Sequence, residues 1–418
     1  MSLHAREGGT VEEQELTVTL ANQETPVLRA RYDTDLHAFT RIVELVAPEY
    51  APPALFDGTG AITRRTLNAW WRGRAIPASR DQMGEISERI HRLDVDGCLD
   101  LLERSFGLSL SDRYWVGDER LGLSWEDINF FDNDFSDDLG LITFDGSSPE
   151  NPDLYSPDSS LGGDLRKKWI IRNGERLLVK SGAGILAQEP YNELVATRLF
   201  SRMLPTSCYV PYELEGDTRN PRCVCPNMLG PDEELVTAWD LICNRKRPNG
   251  TNDWQFLVQT FEGLGVLDAE ARLTEMFVLD LVIANRDRHY RNFGLIRDVR
   301  TLAYKRCAPI FDTGNSLWAW ARELEVPKDF EYRAKPFGDE GYPFERQLRL
   351  FTRLDWFDAG KLSGFPEEVA QVLGQNKMLS PTRVGVIARQ VSRNIDQIAI
   401  HSSLVKEGIP RKHIHRGR

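Results

Sequence analysis

Residues 284–294 read ANRDRHYRNFG, and the interpretation of the whole chain depends on this stretch. It places Asp287 five residues before Asn292, directly after an apolar run with helical spacing. A second carboxylate, Asp312, follows in the sequence Phe-Asp-Thr-Gly. Phosphoryl transfer uses such a set, because one Asp accepts a hydroxyl proton while an Asn and another Asp hold Mg²⁺ against the phosphates. The Asp–Asn spacing is a weak signal by itself, so its meaning depends on what the rest of the chain supplies.

A β-hairpin is predicted upstream, where residues 168–180 read KWIIRNGERLLVK. An Asn-Gly pair between two apolar runs favours a tight turn, since both turn residues take positive φ. A loop containing Gly162 and Gly163 precedes the first strand, and Lys180 ends the second. The hairpin therefore brings a glycine loop and a lysine into one supersecondary unit.

A helix is predicted next, with Asn192 as its cap and Glu193 in its first turn. The chain then contains, in order, a glycine loop, a strand-end Lys, a helix-start Glu, Asp-x-x-x-x-Asn and a second Asp. A two-lobed kinase uses these parts in this order. Backbone N–H groups of the loop cover the nucleotide phosphates, and the lysine, oriented by the glutamate, neutralises phosphate oxygens.

Each of these residues also has a structural alternative. A strand-end lysine commonly faces solvent, and a glutamate in a first helical turn is a favourable partner of the helix dipole. Asp287 lies between Arg286 and Arg288, which favours a structural ion pair. Asp312-Thr313-Gly314 also resembles the catalytic loop of an aspartic protease, but a single-chain protease needs a second such triplet and the sequence has none. The order of the parts favours the kinase interpretation.

The predicted fold class is α+β, a two-lobed kinase-like fold with a small, mainly antiparallel β lobe and a larger helical lobe. Residues 1–107 are predicted to form a helical module, 108–232 an acidic wrap and the β lobe, and 233–418 the helical lobe with a basic tail. The module's predicted helices cover residues 33–46 and 63–72, and a third is capped by Ser79. Its arginines and Trp70-Trp71 are interpreted as a solvated face over a packed tryptophan, with a helix-turn-helix as the open alternative.

Composition narrows the function classes. The 418 residues are 41% hydrophobic and 28% charged, as in ordinary globular proteins. A net charge of −11 argues against non-specific nucleic-acid binding by the whole chain, so no direct nucleic-acid partner is expected. No apolar run approaches the ~20 residues of a membrane helix, and the N-terminus lacks a signal-type apolar core. We therefore expect no membrane partner and a cytoplasmic location.

The six cysteines, including the pair Cys223 and Cys225, are interpreted as structural thiols rather than zinc ligands.

Four motifs together resemble those of HipA-like kinases, bacterial serine/threonine kinases that are often the toxin of a toxin–antitoxin pair. The motifs are Val179-Lys180, Glu189-Pro190-Tyr191-Asn192-Glu193, Asp287-Arg288-His289-x-x-Asn292-Phe293 and Phe311-Asp312-Thr313-Gly314. The similarity covers roughly residues 155–400. It implies ATP and Mg²⁺ as cofactors, a protein substrate, in some members a translation component, and an antitoxin partner.

The resemblance also implies a role for each matching residue. Asp287 corresponds to the catalytic base, Asn292 and Asp312 to Mg²⁺ ligands, and Lys180 to an ATP-contacting lysine paired with Glu193. Ser160, with Ser159 adjacent, matches the position of an inhibitory autophosphorylation site in the phosphate loop. The first ~150 residues do not resemble the N-terminal part of HipA itself, so the resemblance does not identify the substrate or the antitoxin.

Two other functions remain as alternatives. Small-molecule phosphotransferases also use Asp-x-x-x-x-Asn followed by an Asp, but they typically show His-Gly-Asp where this chain has Asn285-Arg286-Asp287. A kinase fold that has lost activity and serves as a binding or regulatory module is the non-enzymatic alternative. The presence of Lys180 together with all three residues of the Asp–Asn–Asp set argues against it.

Overall fold

The computed structural model describes residues 15–217, 219–321, 333–334, 337 and 342–407. The predicted basic tail, residues 411–418, lies outside these residues. The chain divides into two compact units. The first unit comprises Met1–Lys180, Leu229–Lys246 and Ile296–Ala303, and the second Ser181–Met228, Arg247–Leu295 and Tyr304–Arg418.

Strands and helices are both present in each unit, and the strand pairs described below are antiparallel, which confirms the predicted α+β class. The strands are β1 (Glu15–Asn22), β2 (Thr25–Asp33), β3 (Ala38–Leu45), β4 (Tyr114–Asp118), β5 (Lys167–Arg172), β6 (Glu175–Ser181), β7 (Glu213–Glu215), β8 (Arg222–Pro226), β9 (Glu233–Thr237), β10 (Gly294–Asp298), β11 (Tyr304–Cys307), β12 (Arg333–Ala334) and β13 (Tyr342–Pro343). The helices are α1 (Arg64–Arg74), α2 (Met83–His91), α3 (Cys98–Arg104), α4 (Trp125–Ile128), α5 (Asp138–Gly140), α6 (Glu189–Met203), α7 (Ala238–Ile242), α8 (Asp253–Gly263), α9 (Ala269–Val282), α10 (Phe344–Leu348), α11 (Phe365–Leu373) and α12 (Pro381–Lys406).

A four-stranded sheet of order β3-β2-β1-β4 begins the first unit. In β1, Leu16, Val18 and Leu20 are buried, as the two-residue period of a strand with one face on the core requires. The predicted helix over residues 33–46 is wrong, because β3 occupies most of that range and pairs with β2. Its apolar residues are not a buried stripe, since Val43 is 53% exposed. β-branched residues are frequent there, and they favour strands once a partner strand is available.

The two helices that follow agree only in part with the prediction. Helix α1 is capped by the Thr63 side chain, which accepts a hydrogen bond from the Thr66 N–H at 3.2 Å. Trp71 on this helix is fully buried and donates its indole N–H to the Tyr32 hydroxyl at 3.1 Å. The packed tryptophan is thus confirmed. The predicted cap of α2 is wrong, because Gln82, with φ of 59°, occupies the cap position and Ser79 lies outside the helix.

The predicted hairpin is confirmed. Strands β5 and β6 pair in antiparallel register, with Lys167 opposite Lys180. Asn173 and Gly174 both take positive φ, 54° and 80°, which is the turn conformation that the sequence predicts. Cys223 and Cys225 are buried in β8, in agreement with a structural role. The sequence of residues 234–243 predicts a helix, and this prediction is wrong in its first half, which forms β9 ahead of the short α7.

The second unit is mainly helical. Long helix α12 lies against α9, where the Asn394 side chain donates to the carbonyls of Leu281 and Val282 at 3.1 Å each. Helix α6 contacts α11 through an ion pair of 2.7 Å between Arg202 and Glu368. The sequence predicts a helix near residues 343–357, but the helix observed there is shorter, since α10 ends at residue 348. Within the described ranges, no helix combines the length and apolar character that crossing a membrane requires.

A half-buried histidine gives the first unit a testable pH dependence. The His37 ring lies 2.7 Å from a Glu103 oxygen, and this hydrogen bond raises the pKa of His37 above 6.5 although burial opposes the shift. Asp96 and Asp100 also favour the charged ring. Because the folded state then binds the proton more tightly than the unfolded chain, the stabilisation is complete below pH 6.5 and is lost as pH rises through the folded pKa.

We expect His37→Gln to lower the free energy of unfolding at pH 5.5 by more than at pH 9. Urea unfolding of the wild type and the variant at both pH values measures the difference. A difference that does not change with pH would contradict the assignment of His37.

Candidate functional site

Residues 284–293 form an irregular loop after α9, and Gly294 begins β10. Ala284 has a φ of 51°, so the helix ends in a left-handed turn. The Asn285 side chain is fully buried between the helix and the loop. Its amide donates to Asp280 at 2.8 Å, and its carbonyl accepts from the Asp287 N–H at 3.1 Å. The start of the loop is therefore fixed to the last turn of α9.

Arg288 joins this loop to the segment that carries the second carboxylate. Its side chain is 1% exposed and forms an ion pair with Asp280, with nitrogen–oxygen distances of 2.8 and 3.1 Å. A terminal nitrogen of the same guanidinium donates to the carbonyls of Asn292 and Phe311, both at 2.6 Å. Burial opposes the charge, but Asp280 outweighs it and holds the pKa of Arg288 above its ordinary value.

The two predicted loop residues differ in exposure. The Asp287 side chain is 48% exposed, with the His289 ring 3.9 Å from one of its oxygens. Asn292 is buried, and its amide N–H₂ donates to the Asp287 carbonyl at 2.9 Å. The structural ion pair between Asp287 and Arg288 that the sequence left open is not formed, because Arg288 pairs with Asp280. Arg286 instead lies over the Trp320 ring, 5.2 Å from its centroid.

Asp312 follows a short extended segment. The Ile310 N–H donates to the Cys208 carbonyl at 2.8 Å, and the Ile310 carbonyl accepts from the Val210 N–H at 2.9 Å. Asp312 itself has a φ of 58°, an uncommon conformation for a residue with a side chain. The Tyr212 hydroxyl lies 3.4 Å from the Asp312 backbone nitrogen, within reach of its N–H. The carboxylate therefore belongs to a residue with a left-handed backbone conformation. The segment before it is held by the two hydrogen bonds of Ile310.

Glu193 is buried and holds the residue after Asp312. One carboxylate oxygen accepts from the Thr313 N–H at 3.0 Å and from the Thr313 hydroxyl at 2.6 Å. The predicted first-turn position of Glu193 is wrong, because α6 already begins at Glu189. Pro190 explains the earlier start, since proline suits the first turn of a helix.

Asn192 is not the helix cap that the sequence predicts, and its actual contacts belong to the same site. Its side-chain amide donates to the carbonyls of Gly314 and Ser316, both at 2.8 Å. Two successive residues of α6, Asn192 and Glu193, thus hold residues 313–316. Asparagine is a common cap, but here its amide satisfies backbone groups 122 and 124 residues away in sequence.

Two further residues of this site were not found from the sequence. Gln188 is buried, and its amide donates to the Leu317 carbonyl at 2.9 Å. Arg383, near the start of α12, donates to the Gln188 side-chain oxygen and to the carbonyls of Trp318 and Ala321, at 2.7 and 3.0 Å for the last two. The local sequence does not predict either role, because each side chain donates hydrogen bonds to backbone carbonyls that are distant in the chain.

The remaining predicted residues lie in the first unit. Gly162 and Gly163 are exposed, and Gly163 has a φ of 83° that favours glycine. Lys180 is buried near the end of β6. The predicted pair of Lys180 with Glu193 stays a prediction.

The two candidate serines both lie in a 3-10 helix before the glycine loop. Ser159 is fully buried, and its hydroxyl donates to the Ser156 carbonyl at 3.0 Å. Ser160 is half-buried and donates to the Pro157 carbonyl at 3.1 Å. Ser160 is thus the more accessible of the two.

The donor chemistry of the second unit fits a magnesium–nucleotide complex. Asn292 uses its amide N–H₂ within the loop and also carries a side-chain oxygen, and Asp312 carries a carboxylate. Amide and carboxylate oxygens are the ligands that Mg²⁺ prefers. Magnesium at nucleotide sites takes only one or two protein carboxylates and completes its shell with phosphates and water. The described ranges contain no group of three His, Cys, Asp or Glu side chains placed to hold a metal.

Similarity to known proteins is found among solved structures. No protein-family model matches the sequence, and the curated proteins give no match. Among solved structures, the proinflammatory kinase CtkA of Helicobacter pylori is similar, with 15% identity and a TM-score of 0.45. The similarity covers 58% of this chain and 94% of the kinase chain.

Replacing Arg288 tests whether its ion pair holds the site together. We expect Arg288→Gln to lower the free energy of unfolding by about 3–5 kcal/mol, because Asp280 is left as an uncompensated buried charge. Urea unfolding measures the loss. Arg353→Gln is the matched control, since Arg353 is 68% exposed in its ion pair with Glu270 and should change stability by no more than about 1 kcal/mol. Equal effects of the two substitutions would contradict the role of Arg288.

Proposed function

We propose that this chain is an ATP- and Mg²⁺-dependent serine/threonine protein kinase of the HipA-like type. The observation that carries the proposal is the bonding of Arg288. One buried guanidinium holds the loop with Asp287 and Asn292 and the segment that leads to Asp312. The acid–base residue and the two oxygen donors required for phosphoryl transfer are therefore connected through a single side chain.

The roles of the residues follow from their exposure and bonding. Asp287 is the half-exposed carboxylate of the loop, and it accepts the proton of the incoming hydroxyl as the hydroxyl oxygen attacks phosphorus. Asn292 and Asp312 would hold the magnesium ion. The magnesium–nucleotide complex, when bound, supplies the transferable phosphoryl group and the charge that stabilises the departing diphosphate.

Residues around Asp312 supply rigidity rather than chemistry. Glu193 holds Thr313, and Asn192 holds Gly314 and Ser316, so the segment after the carboxylate cannot shift without breaking several buried hydrogen bonds. Catalytic groups need such support, because small displacements in reacting geometry are costly. The proposed roles of Gly162, Gly163 and Lys180 are to cover and neutralise the nucleotide phosphates.

The proposed substrate is a serine or threonine hydroxyl of a protein, and Ser160 is the proposed site of inhibitory autophosphorylation. A translation component as substrate and an antitoxin as partner are further proposals that rest on the family resemblance alone. The proposed location is the cytoplasm. A half-exposed catalytic carboxylate is compatible with a protein substrate, because a macromolecule must reach the base from outside.

Asp287→Asn tests the proposed base. We expect the variant to transfer phosphate from [γ-³²P]ATP to itself or to cellular proteins at least about a hundredfold more slowly, because an amide cannot accept the hydroxyl proton. Asp396→Asn is the matched control, since Asp396 is exposed on α12, and it should keep full activity. Circular dichroism verifies that both variants are folded. Equal transfer by wild type and Asp287→Asn would disprove the assignment of the base.

Calorimetry tests the proposed metal ligands separately from the base. We expect wild type to bind ATP in the presence of Mg²⁺, and Asp312→Asn to bind it at least about tenfold more weakly, because a charged oxygen donor is lost. In EDTA the two proteins should bind ATP with similar, weak affinity. Absence of ATP binding by the wild type in Mg²⁺ would disprove the kinase proposal as a whole.

A further inference from the structure

The loop between α1 and α2 lies against the glycine loop, although the two are some 80 residues apart in sequence. The Asp81 N–H donates to the Asp164 carbonyl at 2.7 Å. The Ser79 hydroxyl donates to the Asp164 carboxylate at 2.6 Å. Arg166, just after the glycine loop, lies 3.6 Å from the Asp81 carboxylate. These contacts hold the glycine loop against the loop between α1 and α2. All of the contacting residues lie in the first unit.

Arg80 provides the central contact. Its side chain is 5% exposed, and one terminal nitrogen donates to the Leu161 carbonyl and, at 3.3 Å, to the Gly162 carbonyl. Burial lowers the pKa of Arg80 to about 10, so the guanidinium is still charged at neutral pH. A buried positive charge therefore lies directly behind two consecutive peptide groups of the loop.

Because the peptide group is planar, this contact also fixes the direction of the neighbouring N–H groups. In a trans peptide the C=O of one residue and the N–H of the next point in opposite directions. Because the Leu161 and Gly162 carbonyls face Arg80, the N–H groups of Gly162 and Gly163 face away from it. Both glycines are exposed, and within the described part of the chain neither N–H donates a hydrogen bond. Two adjacent N–H donors with a cation behind them suit an anion such as a phosphate group.

We infer that Arg80 is a positioning residue for the binding of nucleotide phosphates, because it directs the Gly162 and Gly163 N–H groups outward. Ser79 holds the same loop through its hydrogen bond to Asp164. The inference rests on the proposed kinase function. It assigns the α1–α2 loop to the phosphate-binding site and replaces the interpretation of Arg80 as part of a solvated arginine face. Arg80 does not touch the phosphate itself, because the contacts of its guanidinium are with the loop carbonyls.

The test compares nucleotide dependence in matched variants. For Arg80→Gln we expect the KM for ATP to rise about tenfold while kcat stays within about twofold, because a charged hydrogen-bond donor to the loop is lost and the base is untouched. Arg80→Lys keeps the charge and should recover part of the loss. Arg72→Gln removes an exposed arginine of α1 and should leave KM unchanged.

Ser79 keeps the test decisive if Arg80→Gln does not fold. Ser79 is exposed, so Ser79→Ala should fold normally; we expect its KM for ATP to rise about threefold and Ser79→Thr to restore it. A fall in kcat at unchanged KM would overturn the inference, as would an effect of Arg72→Gln equal to that of the other variants.

Amide exchange of the protein without nucleotide separates this inference from the proposed function. The Asp81 N–H, which donates to the Asp164 carbonyl, should exchange faster in Arg80→Gln and Ser79→Ala than in the wild type or Arg72→Gln. Unchanged exchange in both variants overturns the contact itself, whatever the chain binds. Faster exchange in a protein that binds no ATP would instead mean that the contact holds and the kinase proposal fails.

Discussion

The buried ion pair between Arg288 and Asp280 is the interaction on which the candidate site depends. A buried ion pair often contributes little net stability, because desolvation of both charges offsets their attraction. Its value here lies in the remaining donors of the guanidinium, which hold the carbonyls of Asn292 and Phe311 at the same time. The charge of Asp280 keeps Arg288 in place, and the guanidinium of Arg288 fixes the positions of the two carbonyl groups. A lysine has no planar fork of donors and so could not reproduce both parts.

The rest of the second unit's site is built in the same way, from buried side chains that satisfy irregular backbone. Residues 311–321 form neither helix nor regular strand, so their carbonyls need partners from elsewhere in the chain. Asn192, Gln188 and Arg383 provide these partners, and Asn394 does the same for the last turn of α9. A segment held by so many separate elements cannot move in part, which is the property that a site for ordered chemistry requires.

The sequence predicted those features that local chemistry determines. The Asn173-Gly174 turn was predictable because its backbone conformation limits the residues that fit, and the end of α9 at the Asp-x-x-x-x-Asn stretch follows from helical periodicity. Residues 33–46 were predicted wrongly because the outcome depended on β2, a partner strand that the periodicity does not include. Asn192 and Ser79 were predicted as caps because their side chains suit caps. Both instead bond to residues more than 80 positions away, which no local pattern encodes.

Arg80 in the first unit and Arg288 in the second solve the same physical problem. Each is a buried arginine that donates hydrogen bonds to two carbonyl groups, those of Leu161 and Gly162 in one case and those of Asn292 and Phe311 in the other. Since each peptide plane is rigid, fixing a carbonyl also fixes the direction of the next N–H. In the glycine loop this turns two N–H groups toward solvent, where an anion can accept from them. At Phe311 it sets the peptide plane that leads into Asp312, whose left-handed backbone then directs the carboxylate. In both units, therefore, a buried arginine fixes the backbone next to residues that the sequence predicts for the site.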